Sequence, residues 1–213
     1  MAITFYYGSG SPFAWKVWLV LEHKQLSYEL KLMSLQNGDL KKPEYLAINP
    51  RGKVPALIDD GFALWESSPI VEYLEERYPE HSVLPHNPKH RALARRVAAE
   101  VDQYLYPVLR RLMEQTLLRP DGSGDPGQIA GALTDLRREL AYFEDTLHAD
   151  YFANSLSVAD FALYPLLALV QRLHHKQPRH GVGSFIGPKL AAFIKRIEQL
   201  PYFAKTTPPH WKG

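Results

Sequence analysis

The segment from Asn49 to Pro69 constrains this chain most, because it specifies a turn, a hairpin and a helix start in succession. Residues Asn49 to Gly52 are rich in turn formers. Two short apolar runs then flank Asp59 to Gly61, a pattern typical of a β-hairpin with a tight turn. Glu66 to Pro69 predicts a helix start, since serine caps orphan backbone N–H groups and proline fits the first helical turn. A helix N-terminus beside a carboxylate can hold an anion and an ammonium together, as at the zwitterionic end of an amino acid or peptide.

The residues before this segment predict a strand–helix–strand unit. Ile3 to Tyr7 is rich in β-branched and aromatic residues, and Tyr28 to Leu32 alternates, so both predict strands. Between them, a helix is expected from Ser11 to about Lys24. The hairpin and a helix from Ser68 to about Tyr78 complete the order β-α-β-(α)-β-β-α, with a parallel crossover between the first two strands. The outward face of the last helix is predicted to carry Glu72, Glu75, Glu76 and Arg77.

A proline-rich connector separates this α/β pattern from a wholly helical one. We predict an α/β domain over residues 1–78, a linker over 79–87 and an all-helical domain over 88–213. The helical part should contain a long helix over 89–118 that kinks or breaks at Pro107, a loop over 119–127, and a second long helix over 129–148. Ser157 to Asp160 resembles a capping box ahead of a nearly continuous apolar run, which predicts the buried central helix of a bundle.

Composition limits the chemistry open to these 213 residues. A formal net charge of +2 gives no reason to expect nucleic acid as a partner. Cysteine is absent, which excludes disulfides, cysteine-ligated zinc and a protein thiol nucleophile. The N-terminus shows no signal-peptide pattern and no apolar run approaches the roughly 20 residues that span a bilayer, so we expect a soluble, cytoplasmic protein without membrane partners. His174, His175 and His180 lack accompanying ligands at suitable spacing, which predicts an exposed loop and no metal.

The segment from Asn49 to Pro69 resembles the glutathione-binding half of the glutathione transferase family, whose N-terminal domain is thioredoxin-like. In that family Val-Pro is a cis peptide whose first residue pairs with glutathione like an added strand, and a Glu/Gln-Ser pair holds the γ-glutamyl end. The matching residues here are Val54, Pro55, Glu66 and Ser67. The α/β domain followed by an all-helical domain agrees with the same family. The resemblance implies an α/β thioredoxin-like N-terminal domain plus an all-α C-terminal bundle.

Ser11 is the catalytic residue that this resemblance implies. By itself, Ser11 followed by Pro12 is an ordinary helix cap and first-turn pair. In the Ser- and Cys-type classes of the family, however, the catalytic residue falls at this point, and its role would be to donate a hydrogen bond to the glutathione sulfur. Ser9 could replace Ser11 if the loop is set differently. Tyr6 falls where Tyr-type members keep a catalytic tyrosine, although packing of the strand is the simpler interpretation of Tyr6 and Tyr7.

The resemblance also assigns the two ends of glutathione. Glu66 would pair with the α-amino group, while Ser67 would take the α-carboxylate through its hydroxyl and backbone N–H. The glycyl carboxylate needs a cation, and Lys53 and Lys41 match positions used for it in Ser-type classes. Leu40 departs from the pattern, because some Ser-type members have histidine there, so the grip on the glycyl end is weaker or differently built.

The electrophile is the least specified part of the sequence. Candidate residues for the acceptor pocket, chosen by expected proximity to a cleft between the domains, are Phe13, Tyr104, Tyr106, Arg110 and Tyr164. The resemblance implies a Ser-type, bacterial or theta-like glutathione transferase, a detoxification enzyme that is a homodimer with glutathione as co-substrate and a small hydrophobic electrophile as partner. The alternatives are a glutathione-dependent isomerase, dehalogenase or peroxidase on the same scaffold, or a non-catalytic module that binds glutathione or a partner.

Overall fold

The computed structural model describes residues 2–119 and 123–211, which form two compact units. The first unit runs to Leu84 and includes the described residues from Leu200 onward, while the second spans Pro85 to Gln199. The division falls inside the predicted linker of 79–87. The predicted helical domain of 88–213 needs one correction, because its last segment belongs to the first unit. Part of the predicted loop over 119–127, residues 120–122, lies outside the described residues.

The first unit is built on a four-stranded mixed sheet. Its strands are β1 (Ile3–Tyr7), β2 (Tyr28–Leu32), β3 (Ala56–Asp59) and β4 (Phe62–Trp65), in the spatial order β2-β1-β3-β4. β1 and β2 are parallel, whereas β3 is antiparallel to both of its neighbours. Among the described residues up to Leu84, the α-helices of this unit are α1 (Pro12–His23), α2 (Pro43–Leu46) and α3 (Ser67–Arg77). This is the β-α-β-α-β-β-α order that the sequence predicts.

The hairpin between β3 and β4 follows from its two central residues. Asp60 has φ 47° and Gly61 has φ 89°. Positive φ at both positions is the geometry of a type I′ turn, whose twist matches that of antiparallel strands, and Asp-Gly is a favoured pair for it. The tight hairpin is therefore confirmed.

The predicted outward position of Glu75 on α3 is wrong. Glu75 is buried, and its carboxylate lies 2.8 Å from Nζ of Lys24 and accepts the backbone N–H of Val83 at 3.0 Å. Lys24 is also buried, and its ammonium donates to the carbonyls of Tyr78 at 2.7 Å and Glu80 at 3.1 Å. Charges are tolerated inside a protein when they are paired and hydrogen-bonded. This network ties the end of α1 to α3 and to the connector.

The second unit contains five α-helices among its described residues. They are α4 (Pro88–Glu100), α5 (Tyr106–Gln115), α6 (Pro126–Thr146), α7 (Val158–Lys176) and α8 (Pro188–Glu198). The predicted break near Pro107 is present as a π-helical stretch, Val101–Leu105, that separates α4 from α5. Proline lacks the N–H of a helical hydrogen bond and its ring clashes with the preceding turn, so the chain changes its winding just before it.

Helix α7 is the buried centre of this unit, as predicted. Every residue from Val158 to Val170 is buried. The capping box is confirmed, because the Ser157 backbone N–H donates to Oδ2 of Asp160 at 2.8 Å and the Asp160 backbone N–H points to the Ser157 side chain. The Ser157 hydroxyl also donates to Oδ2 of Asp160 at 2.9 Å. The helix continues to Lys176, so His174 and His175 are exposed on its last turn and not in a loop.

The C-terminal segment, which includes α9 (Phe203–Thr206), packs on α1 within the first unit. Nε1 of Trp15 donates to Oγ1 of Thr206 at 3.0 Å, and the Phe203 ring lies 6.2 Å from the Trp15 ring. The Tyr202 hydroxyl lies 2.9 Å from Nδ1 of His23. These contacts explain why the end of the chain belongs to the α/β unit. None of the described helices is long and apolar enough to span a membrane.

Candidate functional site

Ser11 lies at the N-cap of α1, at the end of a tight turn that leaves β1. Its backbone N–H donates to the Gly8 carbonyl at 3.0 Å, and Gly10 has φ +81°, the value of the third residue of a type II turn. Oγ of Ser11 accepts the backbone N–H of Ala14 at 3.3 Å. A serine hydroxyl that accepts in this way can still donate its own hydrogen. The geometry thus gives Ser11 both a capping role and a donor for a ligand.

Both tyrosines of β1 are packed, on opposite faces of the strand as alternation predicts. Tyr7 is buried, with its ring 4.9 Å from that of Trp18, and burial raises the pKa of the Tyr7 hydroxyl. Tyr6 is half-buried and its ring lies 5.7 Å from that of Tyr45. The raised pKa makes the Tyr7 hydroxyl harder to ionise.

Ser9 makes a contact that the sequence does not predict. Its Oγ lies 2.5 Å from Nδ1 of His210 in the C-terminal segment. The one signal in the sequence of this segment is the adjacent pair His210 and Trp211, which combines a titratable and an aromatic side chain. Its partner is 201 residues away, so no local pattern indicates it.

The turn before Val54 is fixed by its backbone and by two side-chain donors. The Lys53 carbonyl accepts the Tyr45 hydroxyl at 2.6 Å and Nδ2 of Asn49 at 2.6 Å. Gly52 has φ 57°, and a Cβ there would lie 2.9 Å from the Leu40 carbonyl, so only glycine fits. The Val54-Pro55 peptide is cis, as the resemblance implies.

Leu40 is a core residue, whereas the two candidate lysines are exposed. Leu40 packs with Tyr45 and Ala56 in a small buried cluster beneath this turn. Lys41 ends the 3₁₀ turn that contains Leu40, and Lys53 precedes Val54. Leucine at position 40 therefore serves packing, and an imidazole at this position would have to displace buried apolar contacts.

Glu66 has a strained backbone. It has φ 69° and ψ 122°, outside the regions that non-glycine residues ordinarily adopt, and strain of this kind is concentrated at ligand sites. Glu66 also occupies the N-cap of α3, so the prediction that serine caps this helix is wrong. Ser67 is the first helical residue and is buried. Within the described part of the chain, the Glu66 side chain makes no capping hydrogen bond.

A buried cation lies at this same helix start. Lys16 of α1 is 1% exposed, and its Nζ donates to Oγ of Ser68 at 3.2 Å. Lys16 is not among the predicted site residues, although it is the one charged residue in the apolar first part of α1. Its hydrogen bond to Ser68 links α1 to the first turn of α3.

The predicted acceptor residues occur in both units. Phe13 lies in the first turn of α1, with Nζ of Lys16 5.7 Å from its ring centroid. Tyr104 is exposed in the π-helical stretch, and Tyr106 lies at the start of α5. Arg110 is exposed and forms an ion pair with Glu114 at 2.7 Å. Tyr164 differs from these residues, because it is 2% exposed and donates to Glu198 at 3.1 Å, which is a packing role.

No cluster of metal ligands occurs in residues 2–119 or 123–211. Three or more histidine, cysteine, aspartate or glutamate side chains do not come together there in an arrangement that could hold a metal ion. The candidate residues Ser11, Ser67, Glu66, Lys41 and Lys53 supply hydroxyls, a carboxylate and ammonium groups, and two of them lie at helix N-caps.

Comparison with known proteins agrees with this arrangement. A model of the glutathione S-transferase N-terminal domain matches residues 10–77, and a model of the C-terminal domain of the same family matches residues 117–201. A zeta-class glutathione S-transferase from Euphorbia esula is 31% identical over 202 residues, which cover 93% of this chain and 86% of the relative. A maleylacetoacetate isomerase from Pseudomonas aeruginosa is 41% identical over 111 residues, 51% of each chain.

A solved structure shares the whole architecture. A glutathione transferase from Phanerochaete chrysosporium, determined in complex with oxidized glutathione, superposes with a TM-score of 0.81 at 26% identity, covering 99% of this chain and 94% of the other. The chain therefore belongs to the glutathione S-transferase family. The predicted fold class and the predicted glutathione transferase function are confirmed at the level of the family.

Proposed function

We propose that this protein binds glutathione and holds its thiol as a thiolate, which attacks an electrophilic carbon of a small hydrophobic molecule. The observation that carries the proposal is the position of Ser11, whose hydroxyl caps α1 and can still donate its hydrogen at the helix N-terminus. Ser11 acts as a hydrogen-bond donor and not as a nucleophile, because a serine hydroxyl attacks poorly without a base.

The Ser11 hydroxyl and the N-terminus of α1 can together supply the free energy needed to lower the thiol pKa. A free thiol has a pKa of about 8.5 and is mostly protonated at neutral pH. Lowering that pKa by about two needs roughly 2.7 kcal/mol in favour of the thiolate. A hydrogen bond to a charged group contributes about 1.5–3 kcal/mol, and a helix N-terminus about 0.3–1 kcal/mol. One hydroxyl and one helix end are enough.

The remainder of glutathione is assigned to the β3–α3 region. Val54 pairs through its backbone with the tripeptide, beside cis-Pro55. Glu66 binds the α-amino group and Ser67, at the N-terminus of α3, takes the α-carboxylate. Lys53 and Lys41 supply positive charge for the glycyl carboxylate. The strained backbone of Glu66 supports a ligand site here, because strain of this kind is concentrated where a ligand is bound.

We assign the finer properties from the family resemblance. The protein is proposed to be a Ser-type, bacterial or theta-like member that works in the cytoplasm as a homodimer and removes reactive electrophiles. Glutathione is its co-substrate, and no step in the mechanism requires a metal. Light scattering of the purified protein would test the dimer.

The similarity to a maleylacetoacetate isomerase favours a second reaction at the same site. In that reaction the thiolate would add to a conjugated double bond, and its elimination after bond rotation would return glutathione unchanged. A transferase consumes glutathione, whereas an isomerase does not. Measuring free thiol during turnover of maleylacetoacetate, and separately of an aryl halide, distinguishes the two.

Titration with glutathione tests the proposal. Ultraviolet absorbance of the bound thiolate is recorded across pH, and we expect a thiol pKa well below the free value of about 8.5. Binding with an ordinary pKa would instead identify a non-catalytic module. Failure to bind glutathione would remove the proposed site altogether.

A further inference from the structure

The C-terminal segment bonds to the turn that carries Ser11. Oγ of Ser9 lies 2.5 Å from Nδ1 of His210, and Nε1 of Trp211 donates to Nε2 of the same imidazole at 2.9 Å. The Trp211 ring packs edge-on against Trp15 of α1, with centroids 5.3 Å apart. The imidazole of His210 is thus held at both nitrogens, by Ser9 on one side and by Trp211 on the other.

These contacts assign the hydrogen on His210. An indole N–H can only donate, so Nε2 of His210 accepts and carries no hydrogen. In a neutral imidazole the single hydrogen then lies on Nδ1, which donates to Oγ of Ser9. In this tautomer His210 cannot remove the hydroxyl hydrogen of Ser9, so the pair is not a serine–histidine nucleophile. The contact instead fixes the position of Ser9.

The turn transmits this position to Ser11. Ser9 is the second residue of the hydrogen-bonded turn from Gly8 to Ser11, and Ser9 and Ser11 line one small cavity. A Cβ on Gly10 would lie 3.0 Å from Cε1 of His210, and a Cβ on Gly8 would lie 3.0 Å from Cγ2 of Val54. The turn is therefore packed against both His210 and Val54, and it has little room to rotate.

We propose that His210 is a positioning residue for thiol activation. By donating to Ser9 it fixes the turn, and so fixes the direction of the Ser11 hydroxyl, while Trp211 selects the tautomer that can donate. Hydrogen bonds weaken steeply with distance and angle, so a small rotation of this turn weakens the bond from Ser11 to the thiolate. The inference rests on the proposed function of Ser11.

The test compares His210→Ala with His210→Asn in the full-length protein with glutathione bound. His210→Ala removes the donor to Ser9, and we expect it to raise the pKa of the bound thiol by about 0.5 to 1. Turnover below that pKa should fall about three- to tenfold with little change in KM for glutathione. His210→Asn should restore most of both values, because its amide N–H lies near the position of Nδ1.

Two further variants separate positioning from folding. Ser9→Ala should have the same effect as His210→Ala, and the double variant should be no worse than either, because the two residues share one interaction. Thr206→Val is the matched control. It removes the hydrogen bond from Trp15 in the same segment, so it should lower Tm without moving the thiol pKa.

The outcomes distinguish this proposal from the one on which it rests. Additive effects of Ser9→Ala and His210→Ala, or a thiol pKa that stays at the wild-type value in His210→Ala, would overturn the positioning role. An ordinary thiol pKa in the wild type would overturn the proposed function instead. If His210→Ala does not fold, Trp211→Phe keeps the aromatic ring but removes the indole donor, and a raised thiol pKa is again expected.

Discussion

Ser11 is assigned two roles, and substitution by alanine should remove both of them. Ser11→Ala removes the cap of α1 and the donor to the thiolate, so we expect about 1 kcal/mol lower stability and a turnover about 10- to 100-fold lower. The pKa of the bound thiol should rise, with the affinity for glutathione near that of the wild type. Stopped-flow kinetics measures the turnover, and titration of the bound thiol measures its pKa.

The cap of another helix provides the control for Ser11. Asn87 caps α4 through the backbone N–H groups of Lys89 and His90, so Asn87→Ala should cost similar stability but leave the thiol pKa unchanged. Ser11→Thr should retain both roles. Wild-type turnover in Ser11→Ala would mean that Ser11 is only a cap and that Ser9 or Tyr6 activates the thiol.

Glu66 is predicted to matter for binding and hardly at all for stability. Its side chain is exposed, so Glu66→Ala should leave Tm almost unchanged. Loss of a charge-assisted hydrogen bond to the α-amino group should weaken glutathione binding by about 10-fold or more. Calorimetric titration measures the affinity, and Glu76→Ala, which removes an exposed carboxylate from the same helix, is the control. Equal affinities in the two variants would remove Glu66 from the γ-glutamyl site.

At the scale of elements, the buried Glu75–Lys24 pair couples α1 to α3. Burial acts to raise the pKa of Glu75, but hydrogen bonds from Lys24, Ser82 and Val83 outweigh it, so the pKa of this carboxyl lies below its usual value of 4.5. Glu75→Gln leaves the Lys24 ammonium buried without its counter-ion. We expect the free energy of unfolding at neutral pH to fall by about 3–5 kcal/mol.

The effect of Glu75 should depend on pH in one direction. Because its pKa is lower in the folded state, Glu75 stabilises the fold above its unfolded-state pKa, and this stabilisation is lost as pH falls through the folded-state pKa. The difference between wild type and Glu75→Gln should therefore be full near pH 7 and shrink in acid below pH 4.5. Urea unfolding at several pH values measures it. A difference that stays constant into acid would show that the carboxylate charge is not what stabilises the pair.

For the whole molecule, most local signals in the sequence are reliable, with the serine cap of α3 as an exception, whereas long-range pairs cannot be predicted from the sequence pattern. The Asp60-Gly61 turn and the Ser157–Asp160 cap depend on neighbouring residues, so the pattern alone predicts them. Glu75 follows the spacing of an exposed helix face, and only the distant Lys24 makes it a buried residue. The same difference between local and long-range signals applies to the candidate site. Ser11 could be placed from its cap pattern and the resemblance, whereas the bond between Ser9 and His210 depends on how the end of the chain returns to β1.

The C-terminal segment packs within the first unit, and we expect its removal to affect both the fold and the thiol pKa. A chain ending at Pro201 loses the hydrogen bond from Trp15 to Thr206 and the packing of Phe203 and Trp211 on Trp15. Two aromatic side chains that are no longer packed correspond to a loss of about 3 kcal/mol or more. We expect a lower Tm, faster amide hydrogen exchange in α1, and a thiol pKa raised at least as far as in His210→Ala.

The point variant His210→Ala should retain the slow exchange, because the packing on Trp15 is intact. Wild-type exchange in the shortened chain would mean that this segment does not stabilise α1, whereas fast exchange with a wild-type thiol pKa would mean that it stabilises the fold without positioning Ser11.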